Sequence, residues 1–156
     1  DPNRLFIATG GDNSRSGKVK GRALYMSEDA GESWSPTGME FQQEYSAPLA
    51  MHPRDPKVLF SAVARGNPGQ WCRPTGAESA VIRTRDGGKH WERVDGGLAE
   101  TSKGFADTIV FDEADPERLY LGLRSGELYA SQDGGDSWAR LDVKLSAVND
   151  MRCVRA

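Results

Sequence analysis

Three groups of residues in this sequence have types and spacings that could do chemistry. The first is the stretch Arg65-Gly66-Asn67-Pro68-Gly69-Gln70-Trp71-Cys72-Arg73-Pro74. An exposed indole face stacks on sugar rings or peptide planes, and Arg65, Asn67 and Arg73 beside it would fix polar substituents of a ligand. Trp71 could equally serve to pin its own loop, and both readings stand. The second group is Glu44, Tyr45 and Asp107. A spaced pair of carboxyl groups, or a tyrosine activated by a glutamate, hydrolyses glycosidic bonds, and Arg65 and Arg73 would supply charge for an anionic substrate. The third is Gly11-Asp12-Asn13-Ser14-Arg15-Ser16-Gly17-Lys18. It superficially looks like a phosphate loop, but its glycines are one residue too far apart, no Ser or Thr follows Lys18, and no helical pattern comes after it. Asp12 and Asn13 offer oxygen to calcium, yet too few ligands accompany them to define a site. His52 and His90 lack a Cys/His/Asp cluster for zinc. No metal and no cofactor is expected.

The elements that position these residues follow from the rest of the chain. It has 156 residues, a formal net charge of −3, 37% hydrophobic and 28% charged residues. That length supports a core, and the aromatic and β-branched runs exclude a wholly disordered chain. The acidic balance argues against a nucleic-acid surface, which needs a concentrated positive field. No apolar run approaches the roughly 18 residues of a membrane span. Cys72 and Cys153 could make one bridge, but two free thiols are the simpler reading. The chain begins at Asp1 without an initiator Met, and so is expected to be cut from something longer that would carry any targeting signal.

Two motifs each occur three times, out of phase. The first is the octet Ser/Thr-x-Asp-x-Gly-x-x-Trp, with its fixed residues at Ser27, Asp29, Gly31 and Trp34; at Thr84, Asp86, Gly88 and Trp91; and at Ser131, Asp133, Gly135 and Trp138. The second is Asp-Pro-x-x-Leu-Phe/Tyr, beginning at Asp1, Asp55 and Asp115. Each octet suits a hairpin turn: the carboxylate accepts N–H groups of its own turn, the hydroxyl adds another bond, and the glycine takes a positive φ. Each Trp then starts the next strand and packs against a neighbouring unit. Asp-Pro suits a tight bend, because Pro fixes φ and extends the residue before it. The intervening segments alternate with period two and no segment carries a helical stripe.

The octets resemble Asp-boxes, or BNR repeats, such as those of sialidases, xyloglucanases, sortilin-type receptors and a photosystem II assembly factor. Together with the Asp-Pro motif they most resemble BNR-repeat proteins described as sialidase-like or glycosyl-hydrolase-like. The resemblance implies an all-β propeller of four-stranded blades, A innermost to D outermost, with the octet at the C–D turn. The chain then reads BCD over 1–44, ABCD over 45–103, ABCD over 104–146 and a closing A strand over 147–156. Three blades are fewer than the 4–8 of a closed ring, so the remaining blades are expected from a larger six- to eight-bladed ring or from self-association.

Connectivity places the octets and Asp-Pro bends on one face. The B–C and D–A loops, including the long 65–79 loop, occupy the other. The expected function is a non-catalytic binding or scaffold module for a glycan, peptide or protein on that second face. The alternative is part of a secreted glycoside hydrolase of sialidase or xyloglucanase type, which would place it outside the cytoplasm. Against catalysis, the sialidase Phe/Tyr-Arg-Ile-Pro motif is absent and neither an arginine triad nor the xyloglucanase aspartates can be placed.

Overall fold

The computed structural model describes residues 2–10, 23–41, 45–143 and 145–154. Glu44 and the 11–18 segment, with Asp12 and Asn13, lie outside the described residues. The strands are β1 (Leu5–Ala8), β2 (Leu24–Ser27), β3 (Ser35–Pro36), β4 (Tyr45–Met51), β5 (Leu59–Ala64), β6 (Ala80–Thr84), β7 (Glu92–Arg93), β8 (Ala106–Phe111), β9 (Leu119–Leu123), β10 (Leu128–Ser131) and β11 (Ala139–Arg140). They form three antiparallel sheets in the orders β1-β2-β3, β4-β5-β6-β7 and β8-β9-β10-β11. Each sheet is a meander, because consecutive strands are joined by reversing turns. One short 3₁₀ turn, Pro68–Gln70, is capped by Asn67, whose Oδ1 accepts the Gly69 N–H at 3.1 Å.

The core lies between sheets. Phe60, Phe105, Phe111, Leu119, Leu121 and Trp138 fill the space between the second and third sheets. Leu24, Met39, Val63 and Ile82 fill the space between the first and second. The middle sheet is therefore covered on both faces, and β5 is buried at every residue. In β1, with a sheet on one side only, Leu5 and Ile7 remain exposed.

The octets fold as their residue types require. In each, the hydroxyl accepts the glycine N–H: Gly31 to Ser27 at 2.8 Å, Gly88 to Thr84 at 2.9 Å, Gly135 to Ser131 at 2.9 Å. The same hydroxyl donates to its aspartate at 2.7–2.9 Å. The carboxylate accepts the backbone N–H of Ser33, His90 or Ser137. The glycines hold φ of +95°, +88° and +85°, as expected. The residue before each is also left-handed; Gly87 and Gly134 suit this, whereas Ala30 does so at φ +59°.

The two motifs meet in every sheet. The N–H of Ala30, Gly87 and Gly134 donates to the carbonyl of Asn3, Lys57 and Glu117 respectively, the residue after each Asp-Pro. Octets and Asp-Pro bends thus share one face. Gly38 and Gly96 seat the next octet: a Cβ there would lie 1.7 Å from the Lys89 carbonyl oxygen and 1.8 Å from that of Asp136.

Two expectations change. The outer strands start one residue after their Trp and are two residues long, because only a short segment reaches the preceding strand. Of the closing strand expected over 147–156, the described residues 147–154 carry no strand. Val148 donates its N–H to Leu123 at 3.3 Å, much as Ser46 donates to Thr9 at 3.0 Å. The segment starts where an inner strand starts, but no strand of its own sheet follows it among the described residues.

Candidate binding site

The face opposite the octets is built by the 65–79 loop, the 98–105 loop and the ends of β4, β8 and β9. The long loop is tied down. Ala77 donates to the Lys103 carbonyl at 3.0 Å, Ser79 and Ser102 exchange both backbone bonds at 2.7–2.8 Å, and Arg65 N–H donates to Ala77 at 2.9 Å. Gly66 and Gly76 turn it at φ +68°. Glu78 adopts φ +45° without a glycine's freedom, a local strain the surrounding bonds hold in place.

Trp71 is brought inward. Its indole stacks on Phe105 with centroids 4.8 Å apart, meets Tyr45 edge-on at 5.1 Å, and lies under the Arg124 guanidinium at 5.1 Å. Its Nε1 donates to the Arg65 carbonyl at 3.2 Å. The ring is half-buried rather than free. Trp71 therefore pins its loop, and part of its surface remains exposed.

Asp107 is the extra residue of a bulge in β8, where pairing slips between Ala106 and Thr108. Bulges re-aim side chains, and this one turns the carboxylate to Arg124, which it meets at two points, 2.8 and 2.7 Å. The Asp107 side chain is 10% exposed. Hydrogen bonding to Asp107 raises the Arg124 pKa further above its ordinary value, against the effect of burial. β4 carries the matching bulge between Ser46 and Leu49; there the Ser61 hydroxyl donates to the Pro48 carbonyl at 2.8 Å and meets the Ser46 hydroxyl at 2.7 Å.

The structure thus gathers Tyr45, Asp107 and Trp71 into one cluster. Arg65 stands beside it, exposed, in an ion pair with Glu78 at 3.6 Å. Asn67 is spent partly on its turn. Arg73 is exposed, with no ion pair among the described residues. Arg124 and Phe105 were not foreseen. The signal was thin: Arg124 is the one cation of the short 124–127 loop, and only the bulge in β8 shows why it matters. On the inner side, an open hollow of about 750 Å³ lies between β4, β8 and the 150–153 segment, lined by Leu49, Asp107, Val110, Glu113, Asp150 and Arg152 among others. Among the described residues no group of three or more His, Cys, Asp or Glu could hold a metal ion, and no helix is long and apolar enough to cross a membrane.

Solved structures share the arrangement of sheets. An ancestral GH74 enzyme superposes with a TM-score of 0.64 at 20% identity, over 88% of this chain and 16% of its own. The GH74 xyloglucanase of Xanthomonas campestris gives 0.62 at 21%, over 89% and 19%. YCF48 bound to D1 peptide gives 0.60 at 14%, over 94% and 40%.

The fold is that of β-propeller blades.

By sequence, the chain is similar to xyloglucanase Xgh74A of Acetivibrio thermocellus, 27% identical over 88% of this chain and 18% of that protein. It is also similar to a xyloglucanase of a Paenibacillus species, 30% identical over 75% of this chain and 12% of that protein. The chain spans less than a fifth of the length of these relatives. No family model matches it.

Proposed function

We propose that this chain is a segment of an Asp-box propeller that binds a polysaccharide, without cleaving it, on the face formed by the 65–79 and 98–105 loops. The observation that carries this reading is the Tyr45–Trp71–Phe105–Arg124–Asp107 cluster. It presents part of the Trp71 ring on the loop that also carries the exposed Arg73, while its acid is already engaged at two points by Arg124. The similarity to xyloglucanases supports a β-glucan as the ligand class.

The second reading is a glycoside hydrolase, with this segment contributing to its cleft. Asp107, Glu113 and Asp150 line the same hollow, and glycosidases act through carboxyl pairs across such a space. Incubation with xyloglucan oligosaccharides separates the two readings. Binding by calorimetry with no release of reducing ends supports the first. Turnover that Asp107→Asn or Glu113→Gln abolishes replaces it with the second.

A further inference from the structure

Arg124 has a side chain that is firmly placed and only partly used. Its backbone stands in the short 124–127 loop between β9 and β10. There its N–H donates to the Phe105 carbonyl at 2.8 Å, and the Gly126 N–H closes the turn onto the Leu123 carbonyl at 2.9 Å, with Gly126 at φ +96°. The guanidinium is held as well. It lies over the Trp71 ring at 5.1 Å, and its Nε and Nη2 donate to the two oxygens of Asp107 at 2.8 and 2.7 Å. Asp107 is fixed in turn by the bulge of β8, and its side chain is 10% exposed against 43% for Arg124. The entropy of a long side chain is therefore given up on folding, before any ligand arrives.

A guanidinium carries five N–H donors in one rigid plane. Two go to Asp107, which leaves three, and these bond to no described residue. They lie along the part of the plane turned away from Asp107, where the Nη1 and Nη2 ends offer two parallel N–H groups, a fork for a pair of acceptors. The Asp107 carboxylate balances the charge of Arg124, so the fork offers donors with little net charge. A second carboxylate brought to it would face Asp107 across the same guanidinium, a like-charge approach that hydroxyl oxygens do not suffer. Adjacent hydroxyls on a pyranose ring supply such a pair of neutral acceptors.

On the polysaccharide-binding reading of this face, we propose that Arg124 reads the ligand by donating end-on to two adjacent hydroxyl oxygens of an uncharged pyranose. Asp107 and Trp71 are the positioning residues that fix its plane. The site then selects neutral sugar units over uronic acids.

Calorimetry with xyloglucan oligosaccharides, and with oligogalacturonides of the same length, tests this on the native chain, Arg124→Lys, Asp107→Asn and the double variant, with a thermal melt of each to confirm folding. The native chain should prefer the neutral ligand, a comparison that needs no variant. Arg124→Lys keeps the charge but loses the flat fork, and should weaken binding about tenfold or more. Asp107→Asn should also weaken it. The double variant should bind no more weakly than Arg124→Lys alone, because Asp107 acts through Arg124. Additive losses in the double variant, native affinity in Arg124→Lys, or a preference of the native chain for oligogalacturonides would each overturn the proposal and leave the polysaccharide reading standing. No binding of either ligand by the native chain would overturn both.

Discussion

The turn hydroxyls and carboxylates are the residues whose loss should be felt first. Thr84 is buried, accepts the Gly88 N–H and donates to Asp86. Thr84→Val keeps the shape and orphans those groups, so denaturant melts should show a loss of about 1–3 kcal/mol. Ala30 bears a left-handed conformation that glycine adopts at the matching places. Ala30→Gly should therefore raise stability by about 0.5–1 kcal/mol, the strain relieved exceeding the backbone entropy lost. The octet carboxylates also set an acid limit. Bonds from the Ser33 hydroxyl and N–H hold Asp29 at a pKa of about 2, and those from Ser137 hold Asp133 at about 2. The His90 N–H and ring hold Asp86 lower still. Unfolded aspartates bind protons near pH 4, so between about pH 4 and 2 the unfolded chain binds more protons than the folded one. Melting temperature should be flat above that window and fall on acidification through it; a melt that does not change across the window would count against the turn geometry. The octets were legible as turns because their donors and acceptors lie within eight residues. Nothing so local linked Trp71 to Phe105 and Arg124, which meet only after two sheets pack.

At the scale of elements, large side chains fill the junctions between sheets, and glycines allow the close backbone approach at their outer ends. Gly96 leaves no room for a Cβ against the Asp136 carbonyl. Gly96→Ala should therefore separate the second and third sheets locally, costing about 1–3 kcal/mol, and hydrogen exchange should rise at Trp138, whose N–H is bonded to Gly96. Protection unchanged at that amide would contradict the junction described. Strand order and the pairing of loops by face could be read from the two interleaved motifs, since antiparallel connection leaves one arrangement. The bulges in β4 and β8 could not be read. A one-residue slip in register has no composition signal, and in β8 it decides that Asp107 meets Arg124. The tail over 147–156 reads as a strand from its place after the last blade of the repeat, but a strand needs an edge to pair with, and that lies outside the pattern of its own residues.

Across the whole molecule, the proposed binding face lies opposite a structural one. Octets and Asp-Pro bends hold the sheets together; the 65–79 and 98–105 loops, fixed to each other by backbone bonds, present the aromatic–arginine cluster. The most direct test is calorimetric titration of the chain with xyloglucan oligosaccharides. The comparison is between the native sequence, Trp71→Ala and Arg73→Ala on the loop face, and Lys57→Ala on the opposite face. The account predicts binding by the native chain and by Lys57→Ala. It predicts an affinity loss of about tenfold or more, roughly 1.4 kcal/mol, for each loop variant, with unchanged melting for Arg73→Ala. No binding by the native chain, or equal affinity in all four proteins, would contradict it.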